Sequence, residues 1–368
     1  MGPRDSLDPG KYSTDEHSRK LSIEILTGYH RNIFTRAVDN ILTTEIAQIT
    51  YAQIADGLPL SSVEKDTYAF GALTYDHPLH TKHTDFCPGA LERTQQLYAE
   101  FDYDSLCMDD KLLNAYRAAS PGSRAFQTRL IEIIAVAIHQ IAVQMFKLDS
   151  GLHEGDGIAS WKPPKENTMF WRRNPDGPPP TLFQHRLYRY YDQYPEGVAD
   201  GVGYWAEARI LGGVVLFDRR EPEADPSIGL EHLPSIDPDA IYFHSDRKRC
   251  TYRIYRLLDS QKQQLLDFLL SEETPPASCP LPILGDDENR QRVDPEEPIQ
   301  ETGIYRDDWE RKPPPWDRLD GRIRDMRDTL NYPTMDDWVR SHSRGLDKKE
   351  EMYRRLQEES DFEEPNGS

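Results

Sequence analysis

The sequence VGYWAEARILGGVVLF, residues 202–217, decides the fold of the second half of the chain. In its first part, Val202 and Ile210 fall on one side of an alternating pattern, and Glu207 and Arg209 fall on the other. Alternation with a period of two residues is typical of a half-buried strand. The glycine pair that follows predicts a hairpin turn. The stretch is therefore predicted to be a β-hairpin.

Residues 182–271 are predicted to form an antiparallel sheet with a covering helix. The other strands are predicted at Phe183–Tyr191, Val214–Phe217, Ile241–Phe243 and Cys250–Leu257. Asp259 and Ser260 then precede an apolar run, which predicts a capped helix.

Helical periodicity dominates the preceding residues 20–150. Apolar residues recur every three or four positions between Leu21 and Asp56, and the apolar run at Arg124–Leu148 predicts a central buried helix. Shorter helices are predicted after Pro88 and after Asp110. Residues 1–19 are polar and predicted to be disordered. Residues 151–181 are rich in glycine and proline and predict a linker loop, in which tryptophans pin the chain to the core.

Residues 272–368 are predicted to be an extended acidic arm with short helices. Residues 272–310 carry 12 aspartates and glutamates against 3 arginines, with several prolines, which favours a solvated segment. The predicted fold class is therefore α+β: a helical N-terminal half packed on a small antiparallel sheet with a covering helix, plus this arm.

Composition restricts the classes of function. The net charge of −20 argues against general affinity for nucleic acid. Four widely spaced cysteines indicate reduced thiols. The N-terminus has no apolar segment of a secretory signal, and the apolar run at Leu130–Phe146 is interrupted by polar residues. We therefore expect a protein of the nucleus or cytoplasm that does not span a membrane.

One histidine-rich loop supplies imidazole and thiol groups that can bind zinc. The candidate ligands are His77, His80, His83 and Cys87. A structural zinc site usually takes two well-separated ligand pairs, and here one short loop supplies all four groups. The alternative, a solvated polar loop, is favoured over a metal site, and no cofactor is predicted. His139, within the apolar helix, is predicted to be a hydrogen-bonded core residue.

A basic stretch gives a second candidate site. It comprises Arg247, Lys248, Arg249, Arg253, Tyr255 and Arg256. On a strand, alternate residues of this stretch share one face, where arginine can meet phosphate and tyrosine can stack on bases. A nuclear-import signal and a solvated sheet face paired with acidic neighbours are the alternatives.

The outer face of the predicted sheet gives a third candidate. His185, Glu207 and Arg209 would combine imidazole, carboxylate and guanidinium, which can support acid–base catalysis. Charge pairing between strands explains the same residues without catalysis. The sequence contains none of the common short catalytic or phosphate-binding motifs.

The run PTLFQHRLYRYYDQYPEGVADGVGYWAEARILGGVVLFDRRE, residues 180–221, resembles a lineage-restricted family of filamentous-fungal proteins similar to the hypoxia-responsive morphology factor. The resemblance covers mainly residues 180–270. It implies a nuclear or nucleocytoplasmic regulatory protein that influences hyphal surface and colony form, and it implies no catalytic residues.

The sequence thus favours a non-enzymatic regulatory protein that takes a protein partner through its C-terminal arm by coupled folding. An accessory enzyme of fungal metabolism that uses the sheet face, and a nucleic-acid-associated regulator that uses the basic stretch, are the two alternatives.

Overall fold

The chain combines helices with an antiparallel sheet. The computed structural model describes residues 19–67, 73–148, 152–153, 156–174, 177–220, 235–273, 276–312 and 326–363. Nearly all of the segment 1–19, predicted to be disordered, lies outside the described residues.

Helices form most of the N-terminal half, as the periodicity predicts. They are α1 (Gly28–Leu42), α2 (Glu45–Asp56), α3 (Ser61–Lys65), α4 (Leu79–Lys82), α5 (Ala90–Ala99), α6 (Asp110–Ala118) and α7 (Arg124–Lys147). A small two-stranded sheet pairs β1 (Lys20–Ser22) with β2 (Cys107–Asp109). Thr44 caps the start of α2, and Gly57 ends it with φ of 100°, a conformation that glycine adopts without strain.

Helix α7 is the central element of the core. It packs against α1, α2, α6 and a later helix, so it is apolar on most sides. By length and composition it could also cross a membrane, but 72% of its most apolar window is buried inside the protein. Because buried core helices pass the same test, this helix does not establish membrane association either way.

The second half contributes a five-stranded sheet and further helices. These elements are α8 (Thr168–Arg173), α9 (Val198–Leu211), β3 (Val214–Asp218), β4 (Ile241–His244), β5 (Ile254–Arg256), α10 (Asp259–Leu270), β6 (Arg292–Val293), α11 (Ile299–Thr302), β7 (Ile304–Tyr305) and α12 (Met335–Glu363). The strand order is β6-β5-β4-β3-β7, and neighbouring strands are antiparallel.

The predicted hairpin at 202–217 is wrong in its first strand, because residues 198–211 form helix α9. This helix is buried on all sides, so it carries no polar face that would reveal a helical period. Gly203 allows the close contact with α7, since a Cβ there would lie 2.5 Å from His139 Nε2. Gly212 is the left-handed end of the helix, with φ of 112°, and not a turn between strands.

The predicted strand at Phe183–Tyr191 is also wrong, because these residues form an irregular segment. Phe183, His185 and Tyr188 are buried by packing against α9 and the sheet, and their aromatic character produced the strand-like pattern. The strands predicted at Val214–Phe217, Ile241–Phe243 and within Cys250–Leu257 are confirmed as β3, β4 and β5.

Residues 276–312, predicted to belong to a solvated arm, instead complete the sheet. Strand β6 pairs with β5, and β7 pairs with β3, so this segment supplies both edges. Several of its charges are buried and paired: Arg306 contacts Glu207, and Arg311 contacts Glu310. The prediction failed because the partners of these charges lie partly in remote parts of the chain. The short helices predicted near Thr334 and Asp347 are one helix, α12.

Candidate metal centre

Asp56 is the deepest residue of a polar cluster in the helical half. It is the last residue of α2, and its side chain is fully buried. A buried carboxylate must be paired or must coordinate a cation. Its Oδ2 accepts the backbone N–H of Cys87 at 3.2 Å, and its Oδ1 lies 3.2 Å from an imidazole nitrogen of His153. Asp56 thus turns both carboxylate oxygens towards the cluster.

His83 lies beside this carboxylate at the end of α4. Its Nε2 is 3.0 Å from Asp56 Oδ2, and its Nδ1 is 3.0 Å from the carbonyl oxygen of Pro59. A carbonyl can only accept, so Nδ1 carries a hydrogen and Nε2 points inwards. Burial alone would lower the pKa of His83, but the contacts with Asp56 and Pro59 raise it above its ordinary value.

His153 enters the cluster from the loop that follows α7. Its Nε2 lies 3.1 Å from His83 Nε2, 3.2 Å from Asp56 Oδ1 and 3.5 Å from Cys87 Sγ. Its Nδ1 lies 2.6 Å from Asp156 Oδ2. A carboxylate or carbonyl behind the outer nitrogen is the arrangement that orients metal-bound histidines.

The four inward-facing groups match the donor set of a tetrahedral metal ion. One atom from each of Asp56, His83, Cys87 and His153 lies within 4.8 Å of all the others. Metal–ligand bonds of about 2.0–2.3 Å place tetrahedral ligand atoms roughly 3.3–3.6 Å apart. The observed contacts of 3.0 to 3.5 Å are close to that spacing.

Two imidazole nitrogens that face each other at 3.1 Å need a cation or a proton between them. A hydrogen on each imidazole could pair with one Asp56 oxygen, but the two N–H groups would then face each other at 3.1 Å, and neither contact uses the thiol. One metal ion at the centre satisfies all four groups. The chemistry of the donor set therefore fits a metal.

Protonation of the thiol also matters for metal binding. Burial and the nearby Asp56 carboxylate raise the pKa of the Cys87 thiol to about 11. Burial alone would raise the pKa of Asp56, but hydrogen bonds from His83 and Cys87 lower it below its ordinary value. The carboxylate is therefore ready to coordinate, whereas the thiol must lose its proton to the incoming metal.

Of the four candidate ligands in the histidine-rich loop, for which the sequence favoured a solvated loop over a metal site, the structure brings together only His83 and Cys87. His77 Nδ1 accepts the backbone N–H of Leu79 at 3.1 Å, and its ring packs on Trp161. His80 pairs with Glu64 at 3.2 Å. His77 and His80 are therefore not in the cluster. Burial lowers the pKa of His77 to about 4.

The other two ligands, Asp56 and His153, were not predicted, because they lie far from the loop in sequence. His153 is 70 residues from His83. The only sequence signals were a carboxylate at the end of an apolar helix and a histidine directly after a second one. Asp56 and His153 are the groups, well separated in sequence from the histidine-rich loop, that this loop lacks by itself.

The trio predicted on a sheet face is not on a strand and does not share one site. Glu207 and Arg209 lie on helix α9, and all three side chains are buried. Glu207 Oε1 contacts Arg306 Nη1 at 2.7 Å, and Arg209 Nη2 contacts Asp246 Oδ1 at 2.7 Å. His185 Nε2 instead donates to the carbonyl oxygen of His244 at 3.1 Å. Each group has its own partners.

The basic stretch is only partly on the surface. Lys248 and Arg249 are exposed, but Arg253 is 2% exposed and Tyr255 is fully buried. Arg253 pairs with Asp294 and Asp337, each at 2.6 Å. The prediction that these residues share an exposed face is therefore wrong, since β5 lies inside the sheet.

Two further arginines of the stretch are held by carboxylates. Arg247 Nη1 lies 3.0 Å from Asp66, and Arg256 contacts Asp237. The predicted pairing with acidic neighbours therefore describes this stretch better than phosphate binding does.

His139 is a hydrogen-bonded core residue, as predicted. Its Nε2 lies 3.0 Å from Asp200 Oδ1, and its Nδ1 lies 3.7 Å from Glu207. Burial alone would lower the pKa of His139, but Asp200 and Glu207 raise it above its ordinary value. This group joins α7 to α9.

Comparisons of the chain with protein-family models, curated proteins and solved structures found no match.

Proposed function

We propose that the protein binds one zinc ion through Asp56, His83, Cys87 and His153. The observation that carries this proposal is the pair of inward-facing imidazole nitrogens, 3.1 Å apart, beside the fully buried carboxylate of Asp56. One thiolate, two imidazoles and one carboxylate in a tetrahedral arrangement suit zinc better than magnesium or calcium, which prefer oxygen ligands.

The role proposed for this zinc is structural. Four protein side chains fill a tetrahedral ion, whereas a catalytic zinc usually keeps one position for water or substrate. The ligands come from the end of α2, from the loop between α4 and α5, and from the loop after α7. Zinc would hold these three segments together.

Metal content tests the proposal. The full-length protein, purified without chelator, is expected to carry one zinc per chain by elemental analysis. Single substitutions Asp56→Asn, His83→Gln, Cys87→Ser and His153→Gln should each lower the zinc content and the melting temperature. His80→Gln is the matched control from the same loop and should leave the zinc content unchanged. Full zinc content in all four ligand variants would refute the proposal.

A second candidate function follows from three of the same residues. Cys87 Sγ, His153 Nε2 and Asp156 Oδ2 form a chain of contacts at 3.5 and 2.6 Å that resembles a thiol–imidazole–carboxylate triad. The raised pKa of Cys87 disfavours this reading, since a nucleophilic cysteine needs a lowered one. Hydrolysis of activated thioesters by the zinc-free protein, lost in Cys87→Ser, would favour it.

The regulatory role and the nuclear or cytoplasmic location expected from the sequence are still predictions. A closed metal centre supports a non-enzymatic role, because it leaves no coordination position for a substrate. Removal of residues 272–368, the predicted arm, would not test partner binding cleanly, because it would delete β6 and β7. A chain that ends after Lys348 keeps the sheet intact and is the better truncation for comparing copurifying proteins.

A further inference from the structure

Asp156 connects the metal centre to the chain that follows it. Its Oδ2 lies 2.6 Å from Nδ1 of the ligand His153, and its Oδ1 accepts the backbone N–H of Ile158 at 2.7 Å. Both carboxylate oxygens are therefore occupied, one by the metal ligand and one by the backbone two residues ahead. The position of Ile158 is tied to the orientation of His153 through this single side chain.

Ile158 occupies an apolar site that is separate from the main core. It packs with Leu58 and Leu79, and all three side chains are nearly fully buried. Leu58 follows Asp56 by two residues, so the apolar site lies close in sequence to one metal ligand. Trp161 adds a second contact, with its ring 4.9 Å from that of His77.

This small cluster is a weak anchor by itself. The described residues 156–162 form no helix or strand, so little backbone pairing holds them. Ordering several such residues costs more free energy than burying one isoleucine provides. Leu73 and Leu182 also pack against this cluster, and the His153–Asp156 contact is the further interaction that joins the segment to the metal centre.

We infer that metal binding and the seating of Ile158 form one coupled unit, which we call the clasp: His153, Asp156 and Ile158. This inference rests on the proposed zinc site. With zinc bound, His153 is fixed, Asp156 is oriented, and Ile158 covers Leu58 and Leu79. When zinc is removed, the clasp opens and exposes these two leucines, while the main core around α7 stays folded. Zinc thereby controls access to an apolar surface.

Coupling between two sites is reciprocal. If zinc favours the seated position of Ile158, then truncation of Ile158 must weaken zinc binding although its side chain contacts no ligand atom. Loss of the carboxylate at Asp156 must weaken it as well, because an amide offers only one acceptor for two donors. Partners behind metal-bound histidines typically change metal affinity by about 10- to 100-fold.

Hydrogen exchange of the full-length protein, with zinc and after removal of zinc by a chelator, tests the clasp. Zinc removal is expected to increase the exchange of the hydrogen-bonded amides of Ile158 and Trp161 by at least about tenfold and to leave peptides of α7 protected. Zinc affinity, measured by competition with a chromogenic chelator, is expected to fall by about 10-fold or more in Asp156→Asn and measurably in Ile158→Ala.

Glu166→Gln and Met169→Ala are matched controls, because they make the same chemical changes at exposed positions of the same loop. Both should bind zinc as the wild type does. A wild-type chain without zinc would overturn the proposed function itself. Zinc binding with unchanged exchange of the Ile158 and Trp161 amides, or with unchanged affinity in both clasp variants, would overturn the clasp alone. Global exchange on zinc removal would also overturn it, because the unit would not be local.

Discussion

His185 should make the protein acid-labile. Its Nε2 donates to the carbonyl oxygen of His244 at 3.1 Å, and its Nδ1 accepts the backbone N–H of Leu187 at 3.4 Å. In the neutral form, Nε2 carries the ring hydrogen and Nδ1 accepts one. A second proton would have to bind Nδ1, where it would face the backbone N–H of Leu187. Burial lowers the pKa of His185 from 6.5 to about 4.

The sign and size of the effect follow from this shift. The unfolded chain binds a proton below pH 6.5, whereas the folded chain binds it only near pH 4. Stability is therefore lost as the pH falls from 6.5 towards 4, and it rises with pH across that window. The carboxylate of Asp246 raises the pKa of His185 and so opposes burial, whereas the guanidinium of Arg209 lowers this pKa further. The loss at pH 5 is roughly 2 kcal/mol relative to neutral pH.

Denaturant unfolding of the wild type and of His185→Gln between pH 7.5 and 5.0 measures this loss. Glutamine can still donate to the same carbonyl but does not titrate. The carboxylates and the metal ligands titrate in both proteins, so the difference between the two curves isolates His185. We expect the variant to lose about 2 kcal/mol less stability than the wild type at pH 5. Parallel curves would refute the assignment of a buried neutral imidazole.

Three further predictions concern packing, charge and the thiol. Gly203→Ala should lower the free energy of unfolding by about 3 kcal/mol or more in urea titrations. The added Cβ would displace His139 from the buried carboxylates that it contacts. A loss under about 1 kcal/mol would contradict the close packing of α7 on α9. Arg253→Gln should cost about 2 kcal/mol or more, because it removes the cation that pairs with Asp337 and leaves the buried Asp294 with Arg344 as its remaining cation. The exposed Arg249→Gln should cost almost nothing in the same assay, and equal losses would contradict the burial of Arg253. At alkaline pH, where part of a thiol with a pKa of about 11 is ionised, iodoacetamide should modify Cys87 in the native protein faster after zinc is removed, which mass spectrometry of the peptide would detect. Equal labelling rates with and without zinc would show that the thiol is not a ligand.

Local patterns predicted the elements that have one polar face or a clear boundary. Helices α1, α2 and α7 follow from apolar spacing, and β3 to β5 follow from short β-branched and aromatic runs. Helix α9 was mistaken for a strand because it is buried all round. Its small residues alternate with larger ones by chance, and only its flanking glycines, Gly197 and Gly212, marked it as a helix.

Composition misled where charges pair over long distances. The acidic segment 276–312 counts as solvated by charge alone, yet Arg306 and Glu310 are buried within it. Arg306 meets Glu207, 99 residues away, and a sequence pattern does not show such pairs. The metal centre follows the same logic, since the local His83 and Cys87 were predicted as candidates, whereas the distant ligands required the fold.

X-ray absorption spectroscopy of the purified full-length protein at the zinc edge tests the metal centre most directly. The structure predicts one sulfur at about 2.3 Å from zinc and three nitrogen or oxygen atoms at about 2.0–2.2 Å, with the sulfur lost in Cys87→Ser. A zinc ion with six oxygen neighbours, or one with two or more sulfurs, would contradict the set Asp56, His83, Cys87 and His153.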